Sequence, residues 1–141
     1  MTYHDKIQLT LIIIAPPDQA AEGDRIFQTH GSWMESTHYR TGEKALLSYN
    51  VSKMEELSDP GDLNSAPTGN TCFVLTEIYE SKAGVFDHMK QANENWGDYP
   101  AFGEWLESAK SRLYSQLLSL TRSGEGSRFT APTSARENYT D

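Results

Sequence analysis

The chain has 141 residues, a formal net charge of −8 and a single cysteine. That length supports one domain around one core. The acidic balance, with no cluster of Lys or Arg, argues against nucleic acid and against an anionic membrane surface as partners. Cys72 has no partner for an internal disulfide, and no apolar run is long enough to span a bilayer. With no secretory signal pattern at its start, the chain is expected to be cytoplasmic.

Residues 6–14 read as a first strand, rich in Ile and Leu and stopped by Pro16 and Pro17. Ile7, Leu9, Leu11 and Ile13 share one face; Gln8, Thr10, Ile12 and Ile14 share the other, so both faces carry apolar groups. Residues 18–40 read as a helix, with Pro17 and Asp18 as start signals and Gly42 beyond its end. Ile26, Phe27, His30, Trp33, Met34 and Thr37 form its buried stripe. Residues 44–52 read as a second strand in which Leu47, Tyr49 and Val51 alternate. Residues 53–70 contain Pro60-Gly61 and Pro67-Thr68-Gly69, and read as a long loop of the lid or binding-loop kind.

Residues 71–80 read as a third strand, with Phe73, Leu75, Glu77 and Tyr79 on one face and Cys72, Val74, Thr76 and Ile78 on the other. Ser81 is a good N-cap for a second helix reaching Asn95, whose inner stripe is Val85, His88, Met89, Ala92 and Trp96. A break at residues 97–100 precedes a further helix with Phe102, Trp105, Leu106 and Ala109 inward. Residues 112–121 keep a helical leucine period, yet they are the best candidate for a fourth strand, which the reading slightly favours. Residues 122–141 are rich in Ser, Thr, Gly and charge and read as a flexible tail.

The order βαββαβ over residues 1–121 defines an α+β, ferredoxin-like fold: an antiparallel sheet with helices on one face. The opposite sheet face keeps apolar side chains. Leaving them wet costs about 25 cal/mol per Å², so a second copy packed there, a homodimer, is the expected partner.

The most informative local pattern runs from Glu77 to His88. Glu77 and Tyr79 point to one strand face, a capped turn follows at Ser81, and His88 returns on the inner side of the next helix. This resembles the third strand and second helix of the antibiotic-biosynthesis-monooxygenase-like family. The resemblance spans most of residues 6–109. It implies a dimeric α/β barrel with a pocket between sheet and helices. Some members of that family oxidise phenols or quinols with O₂ and no metal or flavin, some bind haem, and many have no known activity. The chain therefore reads as a small-molecule-binding protein, either a cofactor-independent monooxygenase acting on a small aromatic or quinol, or a non-catalytic binder of the same fold.

In the enzymatic reading His88 is the base and Glu77 orients it. A carboxylate on an otherwise apolar strand face needs a partner or a raised pKa, and histidine titrates in the right range for proton removal. The plainer alternative is that Glu77 pairs with a cation and His88 only packs. His30, Trp33, Tyr49, Tyr79 and Trp96 are expected to line the pocket, with aromatic walls suited to a flat apolar ligand; any one of them could equally be plain core. His30 and His38 lie about 12 Å apart along an ideal helix, too far to share one small ion, so neither a metal nor any other cofactor is expected.

Overall fold

The computed structural model describes residues 3–109 and the two-residue strand Leu118–Ser119. The chain runs β1 (Ile7–Ala15), α1 (Ala20–Thr37), β2 (Leu46–Leu57), β3 (Pro67–Tyr79), α2 (Lys82–Asn95) and α3 (Tyr99–Ser108), with Leu118–Ser119 as β4. It is an α+β fold. The strand order is β2-β3-β1-β4, and every pairing is antiparallel. This is consistent with a ferredoxin-like arrangement. Of the stretch expected to be a fourth strand, only Leu118–Ser119 is described, paired with Gln8 and Ile7 of β1. The rest of that stretch and the proposed tail at 122–141 lie outside the described residues.

Period-two alternation in β1 is realised in full: Ile7, Leu9, Leu11, Ile13 and Ala15 are buried and the residues between them are half-buried. In register beside them on β3 stand Tyr79, Glu77, Leu75, Phe73 and Thr71. The core lies between this sheet face and the helices. Phe27 of α1 meets Phe73 at 5.6 Å and Trp105 at 5.9 Å between ring centroids. Trp105 Nε1 donates to the Gln19 carbonyl at 3.0 Å, tying α3 to the start of α1. Gly23 of α1 permits this close approach, since a Cβ there would lie 2.6 Å from Trp105 Cζ2.

Two expected boundaries are corrected. The long loop at 53–70 does not form. β2 and β3 run on into a long hairpin, and only residues 58–66 connect them. The hairpin closes with Ser58 N donating to Ala66 O, and Asp59 and Asp62 side chains accept from the Gly61 and Asn64 amides. Pro and Gly had suggested a break, but Pro67 begins the strand, where its missing N–H costs no ladder bond. Likewise α1 spans Ala20–Thr37 rather than 18–40, and His38 caps it in an extended conformation. The second helix ends at Asn95 as expected, and Ser81 Oγ accepts from the Ala83 amide as its N-cap. Met89, placed on the inner stripe, is 44% exposed.

Candidate functional site

Strand alternation buries Glu77. It belongs to the odd-numbered face of β3, flanked in register by Leu9 of β1 and Tyr49 of β2, and none of its surface is exposed. Tyr79, two residues on and on the same face, donates its hydroxyl to Glu77 Oε2 at 2.7 Å. Among the described residues Oε1 has no hydrogen-bond partner. Burial raises the carboxyl pKa to about 7, against the lowering effect of the Tyr79 bond.

Two helices bring histidines to this carboxylate. His30, on the buried stripe of α1, places Nε2 3.9 Å from Glu77 Oε1. His88, on the buried stripe of α2, places Nε2 3.9 Å from Glu77 Oε2. Both separations exceed a hydrogen bond and fall within ion-pair reach. Burial lowers the pKa of His30 to about 3 and of His88 to about 4, with neighbouring histidines adding to the effect. Both imidazoles are therefore neutral at pH 7, the form in which an imidazole can accept a proton.

A chain of hydrogen bonds fixes which nitrogen of His88 carries the proton. His88 Nδ1 lies 3.0 Å from His38 Nε2, His38 Nδ1 lies 3.0 Å from Thr37 Oγ1, and Thr37 Oγ1 donates to the Trp33 carbonyl at 2.7 Å. A carbonyl only accepts. Thr37 thus spends its one hydrogen there and accepts from His38 Nδ1–H. Neutral His38 is left with an accepting Nε2, to which His88 Nδ1–H donates. The lone pair of His88 then sits on Nε2, toward Glu77. The orienting partner of His88 is His38, a role expected of Glu77. On the other side, His30 Nδ1 pairs with the Tyr49 hydroxyl at 3.0 Å.

His38, read as a core or pocket-lining histidine, is buried but off the cavity wall, behind His88. Its spacing from His30 and Met34 put it on the helix face. Because α1 stops at Thr37, the extended backbone at His38 turns its ring to His88 instead, 5.2 Å between centroids.

Beside the cluster lies a cavity of about 190 Å³ between β1 and the three helices. An apolar cavity of about 150 Å³ holds a benzene ring, so one substituted aromatic ring fits. His30, His88 and Trp96 line it, together with Leu9, Phe27 and Phe102. Of the expected pocket residues, Trp33, Tyr49 and Tyr79 are not on its wall. Tyr49 and Tyr79 stand behind, holding His30 and Glu77. Trp33 packs on His88 at 5.5 Å and stacks on Trp96 at 5.7 Å. Its Nε1 donates to Asn95 Oδ1 at 2.7 Å, so Asn95 joins α1 to α2. Among the described residues, two buried side-chain polar atoms lack a hydrogen-bond partner, Glu77 Oε1 and Trp96 Nε1. Both belong to this site. Cys72 is half-buried on the other sheet face.

No family model, curated protein or solved structure matches the chain. Among the described residues no helix is long and apolar enough to cross a membrane.

Proposed function

We propose that the chain is a small-molecule enzyme of ferredoxin-like βαββαβ topology, paired into a dimeric α/β barrel. In this reading it binds one small apolar or aromatic molecule in the cavity and removes a proton from it. Proton removal from a phenol or quinol is the first step of cofactor-independent monooxygenation, an activity that the resemblance carried by the Glu77–His88 pattern implies. The observation that carries the reading is the apolar cavity walled by His30, His88 and Trp96, with an orphaned buried donor on Trp96 and an orphaned buried acceptor on Glu77 behind the two histidines. A buried polar atom without a partner is costly, and a bound molecule that supplies the partner removes that cost. Here one is an acceptor, on Glu77, and the other is a donor, on Trp96.

In this reading His88 Nε2 is the base. Its tautomer presents the lone pair, and the developing imidazolium is stabilised by Glu77 at 3.9 Å. The proton's departure is assisted through Nδ1 by His38. Trp96 Nε1–H is the candidate donor to the ligand's oxygen.

The test is oxygen uptake by the purified chain, with chelator present, over a panel of phenols and hydroquinones. Binding is followed in parallel by quenching of the Trp33 and Trp96 fluorescence. Turnover of at least one compound is expected, and His88→Ala should lower it by about 10²–10⁴ while quenching persists. Quenching with no turnover of any compound would leave a non-catalytic binder, which the apolar wall of the cavity also suits. The absence of both would overturn the reading.

A further inference from the structure

His30 and His88 of the cavity wall, with Glu77 behind them, also have the composition of a metal-ligand set. One ligand atom each from His30, Glu77 and His88 lie within 4.8 Å of one another, and all three residues are buried. We infer that they form a divalent-cation site of two imidazoles and one carboxylate, open on the side of the apolar cavity.

Each ligand is already held by a partner on its far side. His30 Nδ1 is engaged by the Tyr49 hydroxyl, His88 Nδ1 by His38 Nε2, and Glu77 Oε2 by the Tyr79 hydroxyl. That is the outer support which orients metal-binding imidazoles and carboxylates. The atoms left over are His30 Nε2, His88 Nε2 and Glu77 Oε1. The Thr37–His38 chain leaves the His88 lone pair on the nitrogen that would bind the ion. Glu77 Oε1 is fully buried without a partner. The groups within ion-pair distance of Glu77 are these same two histidines. Among the described residues no Lys or Arg is paired with it, so a cation between the three groups would supply the missing counter-charge.

The distances agree. Ligands about 2.1 Å from a tetrahedral ion stand about 3.4 Å apart. His30 Nε2 stands 3.9 Å from Glu77 Oε1, His88 Nε2 stands 3.9 Å from the other carboxylate oxygen, and one ligand atom from each of the three lies within 4.8 Å of the others, so the set closes on an ion by rotation of the side chains toward one another. A mixed nitrogen–oxygen set selects Fe²⁺, Co²⁺ or Zn²⁺ over Mg²⁺ or Ca²⁺, which prefer oxygen throughout. Three protein ligands leave positions open, as catalytic sites do and structural zinc sites do not. Because His30 and His88 line the cavity, those positions face the bound molecule. A phenolic or enolic oxygen placed there would be made more acidic by the ion.

The inference rests on the cavity being a ligand site, and it adds a second state to the metal-free one described above: with the ion bound, the two imidazole lone pairs are ligands and His88 no longer acts as the base. The test uses the full chain stripped with chelator, dialysed and titrated at pH 7.5 with Co²⁺ alone. Uptake is followed by calorimetry and by the visible absorption of the ion. One Co²⁺ per chain is expected. His38→Ala should weaken binding by about 10–100-fold, the effect of losing a supporting residue. Glu77→Gln and His30→Ala should each weaken it further still, with circular dichroism and melting curves confirming that at least one of the two remains folded. No uptake at about 100 times the protein concentration, or uptake unchanged in the folded ligand variant, overturns the inference. Quenching of tryptophan fluorescence by 1-naphthol, measured on the stripped protein, separates the two proposals. Naphthol binding without Co²⁺ uptake ends the metal site and spares the cavity reading. Co²⁺ uptake without naphthol binding does the reverse.

Discussion

Glu77 concentrates the tension between stability and chemistry. Its side chain is fully buried, one oxygen is unpartnered, and burial holds its pKa near 7. Above that pH the folded protein carries a buried charge with one hydrogen bond and two neutral imidazoles beside it. Glu77→Gln keeps the shape. Its amide oxygen can still accept from Tyr79, and its NH₂ can donate to the lone pair on His30 or His88. Melting of the chelator-treated protein at pH 8 should therefore show the Gln variant more stable, by about 1–3 kcal/mol. A loss of stability would mean that the carboxylate is satisfied by a group the geometry does not reveal. The sequence marks this residue out, because a carboxylate among Phe73, Leu75 and Tyr79 breaks the apolar pattern of its strand face. His30 and His88 are legible in the same way, each on the apolar stripe of a helix. His38 is not, since its role depends on a helix ending three residues before the sequence pattern does. The orphaned Trp96 N–H is invisible to sequence as well, because satisfaction depends on what lies across the packed interface.

At the scale of elements, local chemistry predicts best where it is strongest. The Ser81 cap, the α2 boundary and the β1 alternation all follow from their residues. The long hairpin does not, because Pro60, Gly61 and Pro67 are turn residues in isolation. Pairing of β2 with β3 extends from Leu46↔Tyr79 to Leu57↔Pro67 and overrides that tendency. The junction that sets the site is the seat of α2 on β3. Gly84 lies in its first turn, where a Cβ would come within 2.9 Å of Tyr79 Cδ1 and 3.1 Å of the Lys44 carbonyl. Alanine normally favours a helix over glycine by about 1 kcal/mol. Here that gain is outweighed by overpacking against a buried ring and a backbone oxygen, worth about 1–3 kcal/mol. Gly84→Ala should lower the melting temperature and displace the Tyr79 ring, altering near-ultraviolet circular dichroism. An unchanged or raised melting temperature would show that α2 can lift from β3 freely, and that the His88–Glu77 spacing is not set by this contact.

At the scale of the whole molecule, the question is what covers the second face of the sheet. The helices take the odd-numbered side chains of β1 and β3. The even-numbered face presents Ile12 and Ile14 on β1 and Val74 and Cys72 opposite them in register, all half-buried in a single chain. Thr10, Thr76, Asn50 and Ser52 share that face, so it is mixed rather than oily. Stable association needs about 1,000 Å² or more of buried surface in total, and a sheet face of this length can offer that against a second copy. Val74 lies near the middle, with Ile12 on one side and Ser52 on the other. In a monomer an Arg at 74 reaches solvent along its aliphatic stem and costs little. Between two packed sheets it buries two charges with no counter-ion, a cost of several kcal/mol. Sedimentation velocity at about ten micromolar protein should give a dimer for the natural chain and a monomer for Val74→Arg, with the melting curve of the variant then independent of concentration. A natural chain that sediments as a monomer would refute sheet-face pairing. A Val74→Arg variant that remains dimeric would move the interface to another surface.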